Sequence, residues 1–325
     1  MGSDLTARPG STAGPGGPPT SRPRATDWRT RLRARLPENL TAWAMVAPAV
    51  ALLLWWFVWP IVQSVLLSFQ QVNKFHFDER EFVGLANYQA LFADPAFGRS
   101  LGITATFIAL VVPAQTLLAI LIAAMLVSAS RGRTALRTAV FVPYMTSTVA
   151  VTTIFMQLFV SGGPVSASLE ALGLPGGTWY AEPSTALYFL VLVYVYMFVG
   201  LYIVIFVGGM ESIDASLYEA AEVDGAGVLR RFWSVTVPGV RPFTVFVVLT
   251  GFIQAVQVFD QAYVISGGTT LGSPAGATST IVIFIYQQAF RLNAVGLGSA
   301  ATVILLVAIV AAGILSRLAA RRTNS

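Results

Sequence analysis

Residues 185–209 read TALYFLVLVYVYMFVGLYIVIFVGG, twenty-five consecutive positions without a charged side chain. About 20 such residues are enough for a helix to cross the hydrocarbon of a bilayer. A helix that is apolar on every side has no face to offer water and belongs in lipid or inside protein. Five more stretches share this character, at residues 42–69, 101–128, 138–160, 241–265 and 293–316. The composition agrees: of 325 residues 55% are hydrophobic and 11% charged, under half the ~25% charge of soluble domains. The expected fold is therefore all-α, a polytopic membrane protein with six transmembrane helices. Pro48, Pro60, Pro113 and Pro143 fall inside these stretches, where neighbouring helices can re-satisfy the backbone. Residues 281–292 are apolar, then polar, and too short to cross alone. They read as an interfacial or re-entrant piece before the last span, anchored by Tyr286, with a single tilted helix over 281–316 as the alternative.

The charges orient the spans. Residues 1–37 form a tail without fixed structure, because ten of the first twenty-five residues are Gly or Pro. It ends in a run of arginines from Arg22 to Arg35, which with no interleaved aromatic beyond Trp28 reads as a membrane-flanking anchor and not as a nucleic-acid site. With the N-terminus inside, sixteen of the twenty basic residues fall on the cytoplasmic side and four (Lys74, Arg80, Arg99, Arg291) outside. That asymmetry places both termini, including the short tail 317–325, in the cytoplasm of a multi-pass cell-membrane protein surrounded by lipid.

Several chemistries are excluded. The chain has no cysteine, one histidine (His76) and one lysine (Lys74). Thiolate and His-pair metal sites cannot be built, nor can a nucleophile–base–acid set, so no catalytic residue, no metal and no enzyme activity are expected. A Gly-x4-Gly-Lys-Ser/Thr loop is absent, so the chain has no P-loop for ATP.

The connection between the fourth and fifth spans is unlike the others. It runs Ser216-Leu217-Tyr218-Glu219-Ala220-Ala221-Glu222-Val223-Asp224-Gly225, then Arg230-Arg231-Phe232-Trp233, then Val235-Thr236-Val237-Pro238. Ser216 and Glu219 have the spacing of a capping box, so a short helix should begin near Leu217. Leu217, Ala220, Ala221 and Asp224 then share one shallow face, Gly225 ends the helix and Pro238 marks the return into the membrane. Glu219-Ala220-Ala221, three residues, Gly225, nine residues, Val235-Thr236-Val237-Pro238 resembles the EAA loop of permease subunits in binding-protein-dependent ABC importers. Residues 60–69 (PIVQSVLLSF), 84–88 with Asp94-Pro95-Ala96-Phe97, and Phe259-Asp260-Gln261-Ala262-Tyr263 with Gly267-Gly268 resemble the sugar-type branch of that family. The likeness covers about residues 40–316, with 38–316 as the permease domain. It departs at the insert 271–280 and at Tyr194 and Tyr196, where a Trp is common.

The resemblance implies a division of labour. A cytosolic ABC ATPase dimer would bind the ATP and dock on Glu219, Ala220, Ala221, Asp224, Gly225 and Pro238, making the loop helix an EAA-type coupling helix. A second, homologous permease subunit would complete the pathway, and an extracytoplasmic solute-binding protein would deliver a sugar or another small polyhydroxylated solute. A non-sugar solute such as glycerol phosphate is the nested alternative. A stand-alone carrier is the rival class, but spans two to four hold no acid, whereas ion-coupled carriers need titratable groups at the midplane.

In the fifth span Thr250, Gln254, Gln257 and Gln261 follow i, i+4, i+7, i+11 and line one stripe of a continuous helix. Amides donate and accept, which suits a neutral polyhydroxylated solute, and Tyr263 and Phe259 could add ring faces. The same glutamines could instead tie helices together. Asp260, near the outer end of this span, reads as a buried acid paired with a loop amide, or as part of the pathway.

Overall fold

The computed structural model describes residues 28–73, 76–128, 132–174, 176–268 and 270–323. Residues 1–27, Lys74 and Arg131 lie outside the described residues. The chain divides into two units between Pro60 and Ile61. The first contains helix α1 (Trp28–Leu53), a wide π turn (Leu54–Val58) and the start of α2 (Trp59–Ser68), so residues 28–37, expected in the tail without fixed structure, are helical instead. Trp55 and Trp59 stack one turn apart, with ring centroids 6.4 Å apart.

The second unit opens with a departure from the all-α expectation. Strands β1 (Gln70–Asn73) and β2 (His76–Phe82) pair antiparallel, Gln71 opposite Glu81. Outside the span the backbone must still satisfy its hydrogen bonds, and this connection does so in a hairpin with Val72 tucked inside. Helix α3 (Ala86–Ala93) follows, fixed by the Asn87 amide, which donates to the carbonyls of Ser68 and Gln70 at 2.9 and 3.0 Å.

The centre is a pair of long helices, α4 (Pro95–Ser128) and α8 (Ala186–Glu211). Fourteen of the 26 residues of α8 are buried, which makes it the axis around which the other helices pack. Small residues face it: Ala119 and Ala123 of α4 are fully buried against Tyr202, Ile203 and Phe206. Close backbone approach through small side chains is how helices associate in lipid, which gives no hydrophobic drive between them. A second cluster gathers Phe107, Val111, Phe189, Val193 and Tyr194.

The third expected span is not one helix. It is α5 (Arg133–Met145) and α6 (Thr148–Leu158), bent by 97°. Pro143 supplies no N–H to the ladder, and Thr146 and Ser147 are extended (ψ 153 and 125). After α7 (Pro164–Ala171) and α8 come three short helices, α9 (Ala215–Val223), α10 (Val228–Arg231) and α11 (Val237–Gly239).

The fifth span is also interrupted. Helix α12 (Arg241–Val256) stops, Phe259 adopts φ −136, ψ −59, and α13 (Asp260–Ile265) restarts. The freed carbonyl of Val258 accepts from Thr280 Oγ1 at 3.1 Å. Helix α14 (Ile281–Tyr286) continues through a π turn to Arg291, and α15 (Val295–Thr323) begins only after Asn293, at φ +59. Residues 281–316 are therefore not one tilted helix. Among the described residues five helices are long and apolar enough to cross a membrane, and six if the bent pair counts as one.

Gly200 of α8 faces the Val140 carbonyl so closely that a Cβ there would collide with backbone, whereas Gly208 of the same helix faces open space. Gly200→Ala is expected to cost about 1–3 kcal/mol as overpacking. Thermal unfolding of the purified protein should show the drop, with Gly208→Ala unchanged beside it.

Candidate functional site

Two places carry the chemistry, the connection after α8 and a cleft at the helix breaks. In the connection, Asp214 and not Ser216 caps α9: its carboxylate accepts the Ser216 N–H at 2.9 Å. An ionised carboxylate is the stronger acceptor at an N-cap and sits two residues upstream of the expected cap, so the capping box does not form. That hydrogen bond holds the Asp214 carboxyl below the usual carboxylate range. Because its pKa falls on folding, the cap is at full strength above the ordinary value of about 3.9 and is lost as pH drops below it.

The other end of α9 explains the spacing of the motif. Gly225 is left-handed at φ +74; its N–H bonds the Glu222 carbonyl at 3.0 Å and the Ala226 N–H bonds the Ala221 carbonyl at 2.9 Å. This double closure needs a residue free of a Cβ two places beyond the last helical position, which fixes Gly225 relative to Ala221. Ala221 is half-buried; Glu219, Ala220, Asp224 and Pro238 are exposed. So are Leu217, Val223, Val228, Leu229 and Trp233, the last four at 62–88%. This gathers large apolar side chains on a connection outside the spans, the mark of a surface that meets another protein. Behind the connection, Tyr218 and Thr236 pair their hydroxyls at 3.0 Å, and Arg231 donates to Glu222 at 2.9 Å. The pair lies at the surface, Glu222 open to water and Arg231 half-buried, and such surface pairs contribute about 0–1 kcal/mol.

The cleft, about 320 Å³, lies where the break of the third span meets the break of the fifth. Tyr144 and Thr148 come from the two sides of the 97° bend, Tyr194 and Phe198 from α8, and Gln254, Gln257, Phe259, Asp260 and Gln261 from α12, α13 and the residues between. Of the six residues expected along the fifth span, four are brought together here. Thr250 is not: its hydroxyl donates back to the Phe246 carbonyl at 2.8 Å. Nor is Tyr263, which packs on Phe259 and Tyr286 with centroids 5.3 and 5.7 Å away. The single stripe does not survive the break, and the amides divide. Gln257 is exposed, Gln254 lies 3.5 Å from the Tyr202 hydroxyl, and Gln261 is buried with its amide nitrogen 3.7 Å from Met197 Sδ. Asp260 is exposed, in the first turn of α13, and among the described residues no loop amide reaches its carboxylate, which corrects its reading as a buried paired acid. Among the described residues no cation lines the cleft.

Sequence reasoning missed Tyr144, Thr148, Tyr194 and Phe198. Thr146-Ser147-Thr148, three hydroxyl residues soon after Pro143 within an apolar run, was the signal for the first two.

The family described as binding-protein-dependent transport system inner membrane component matches residues 115–325. The lactose transport system permease protein LacF of Rhizobium radiobacter is 32% identical over 82% of this chain and 88% of its own length. The arabinooligosaccharides transport system permease protein AraP of Bacillus subtilis is 30% identical over 92% and 93%. A solved bacterial alginate ABC transporter, in complex with an alginate pentasaccharide-bound periplasmic protein, contains a chain that superposes with a TM-score of 0.76. At 20% identity, over 90% of this chain and 98% of that one, the likeness is one of fold.

Gly225 has open space around its Cβ position, so a substitution there is strained only by φ. Gly225→Ala is expected to destabilise α9 by about 1–2 kcal/mol and Gly225→Asn by less, read as faster amide exchange across residues 215–223.

Proposed function

The chain belongs to the family of binding-protein-dependent transport system inner membrane components, and on that premise we propose that it lines the pathway of an importer for a sugar or a similar polyhydroxylated solute. The observation that carries this is the cleft at the two helix breaks. Discontinuous helices expose backbone and polar side chains at membrane depth only where these line a cavity. Here the cavity offers amides from Gln254 and Gln257, a hydroxyl from Thr148 and ring faces from Tyr144, Phe198 and Phe259. Amides and rings match a solute dense in hydroxyls. With Asp260 present and no cation in the lining, a phosphorylated solute would meet repulsion, so the neutral sugar is favoured over glycerol phosphate. The lactose and arabinooligosaccharide permeases described above are named for neutral sugars.

In this reading six spans cross the membrane with both termini and α9 in the cytoplasm, following the distribution of basic residues. The exposed apolar face around Leu217, Val223 and Trp233 receives a cytosolic ABC ATPase dimer. Glu219, Ala220, Ala221, Asp224, Gly225 and Pro238 form or shape that docking surface. ATP is bound by the partner, and this chain carries no cofactor. A second, homologous permease subunit faces the exposed side of the cleft, and an extracytoplasmic binding protein delivers the solute. Lipid surrounds the assembly.

The test is solute uptake and ATP hydrolysis in proteoliposomes holding this chain with its ATPase and partner permease. Glu219→Lys and Gly225→Asp are expected to release the ATPase or abolish uptake while the protein stays folded. Gln257→Ala is expected to raise the half-saturating sugar concentration about tenfold, the worth of one good hydrogen bond. Uptake by this chain alone, or indifference of both loop variants, would sink the importer reading in favour of a stand-alone carrier.

A further inference from the structure

A groove of about 440 Å³ runs down the seam of α4 and α8, beside the end of the bent third span. Its walls include Ala114 and Leu118 of α4, Val191 and Val195 of α8, Leu169 of α7 and Trp179, and every side chain that lines it is apolar or aromatic. The groove is built, not a gap beside a loose loop. Ser166 of α7, fully buried, donates to the Gly177 carbonyl at 3.0 Å and accepts the Gly177 N–H at 2.8 Å. The backbone N–H of Trp179 donates to the Phe159 carbonyl at 3.4 Å, and its carbonyl accepts from the Thr185 hydroxyl at 2.7 Å. Its ring packs on Phe159 with centroids 5.3 Å apart. Trp179 and Tyr188, both in the lining, stand just before and at the start of α8, where aromatic side chains mark the membrane interface. From Tyr188 to Val195 the helix rises about 10 Å, most of the ~15 Å of hydrocarbon in one leaflet.

Left empty, such a groove forfeits the contacts of its walls. A transmembrane helix is too broad for it: at about 10–12 Å across, ~10 Å of its length takes up about twice the volume of the groove. An acyl chain is slim and unbranched and follows it from the interface toward the mid-bilayer. The rim decides which lipid. Residues 160–188 carry two charged side chains, Glu170 and Glu182, and no basic one. Both are exposed, Glu170 directly after Leu169 and Glu182 one turn beyond Trp179, and Glu170 accepts the Gly177 N–H at 3.2 Å. The only basic residue of α4, Arg99, stands about 22 Å of helix rise before Ala114, and α8 has none. Basic pockets gather anionic headgroups; a rim of the opposite sign selects a headgroup that ends in an ammonium. We propose that the groove holds an acyl chain of a zwitterionic phospholipid of the phosphatidylethanolamine type, with its ammonium beside Glu170 and Glu182. The choice of leaflet rests on the orientation proposed above, which puts residues 160–185 outside and the groove in the outer leaflet.

The full complex would be reconstituted in nanodiscs of phosphatidylethanolamine and phosphatidylglycerol in equal parts, released into mild detergent and weighed by native mass spectrometry. Wild type is expected to retain one phosphatidylethanolamine per copy of this chain, enriched about tenfold over phosphatidylglycerol. Glu170→Gln with Glu182→Lys leaves the groove open and is expected to abolish that preference. Ala114→Phe fills the groove and is expected to lose the retained lipid; should it fail to fold, the charge variant still decides. Benzoylphenylalanine in place of the exposed Leu192, on the groove wall, is expected to crosslink to phospholipid. Lipid retained by wild type in the bulk ratio is annular lipid only and overturns the proposal. A preference that survives the charge variant does the same, as does a crosslink from position 192 to a protein chain, which would put a transmembrane helix in the groove. The orientation is read separately. The chain has no cysteine, so a single Leu172→Cys in right-side-out membrane vesicles is expected to react with an impermeant maleimide. Its protection would overturn the orientation and the outer-leaflet placement, whatever the lipid readout.

Discussion

Hydrocarbon offers no hydrogen bonds, and beside the break in the fifth span the chain itself supplies them. Along the spans, hydroxyls turn back onto their own helix: Thr116 donates to the Val112 carbonyl at 2.7 Å and Thr152 to Thr148 at 2.8 Å. At the interruptions hydroxyls reach across. Thr280 takes the Val258 carbonyl freed by the break in the fifth span, and the Thr104 hydroxyl donates to Ser100 while accepting the Ile281 N–H, both at 2.8 Å. A hydroxyl can do both because it carries one proton and two lone pairs. Thr104 and Thr280 thus fix the start of α14 against α4 and the broken span, and let the chain leave helical geometry beside the cleft without an orphaned amide.

This constraint also separates what could be read in the sequence from what could not. The apolar runs are set by local composition, and the helix Ala215–Val223 with its left-handed Gly225 is set by residues within ten positions of each other. Those features were legible. The break after Val256 was not, because what permits it is Thr280, more than twenty residues away. Without it, Thr250, Gln254, Gln257 and Gln261 form a single stripe. With it, Gln261 turns inward to Met197 while Gln257 and Asp260 stay open. The cap of α9 failed for a local reason: two polar candidates compete within three residues, and the carboxylate of Asp214 wins over the Ser216 hydroxyl. Glu219 is consequently not drawn back to the helix start and remains exposed.

Magnitudes decide which contacts carry the architecture and which tune it. The junction of α4 and α8 buries Phe206, Tyr202 and Ile203 almost completely, and each such side chain depends on close packing for contacts that lipid fills less well. Against that, a surface ion pair such as Glu222–Arg231 adds little to the stability of the fold. Its influence is geometric. A weak contact that spans two helical segments selects among arrangements of similar energy, whereas a strong contact in the core selects whether the chain folds at all.

The same comparison bears on Gln115. Its amide is fully buried in α4, pressed against Gly251 of α12, and neither of its polar atoms has a partner among the described residues. An unpaired buried amide costs about 1–3 kcal/mol, so packing around it must outweigh that loss. Gly251 makes the packing achievable, since any side chain there would collide with the amide. The contact between the second and fifth spans is therefore held by shape and opposed by polarity. Such a junction resists separation less than the α4–α8 seam does, and it lies along α12 between the cytoplasmic connection and the break after Val256. Loss of this contact would leave the Gln115 amide free to find water, beside the helix that leads to the cleft.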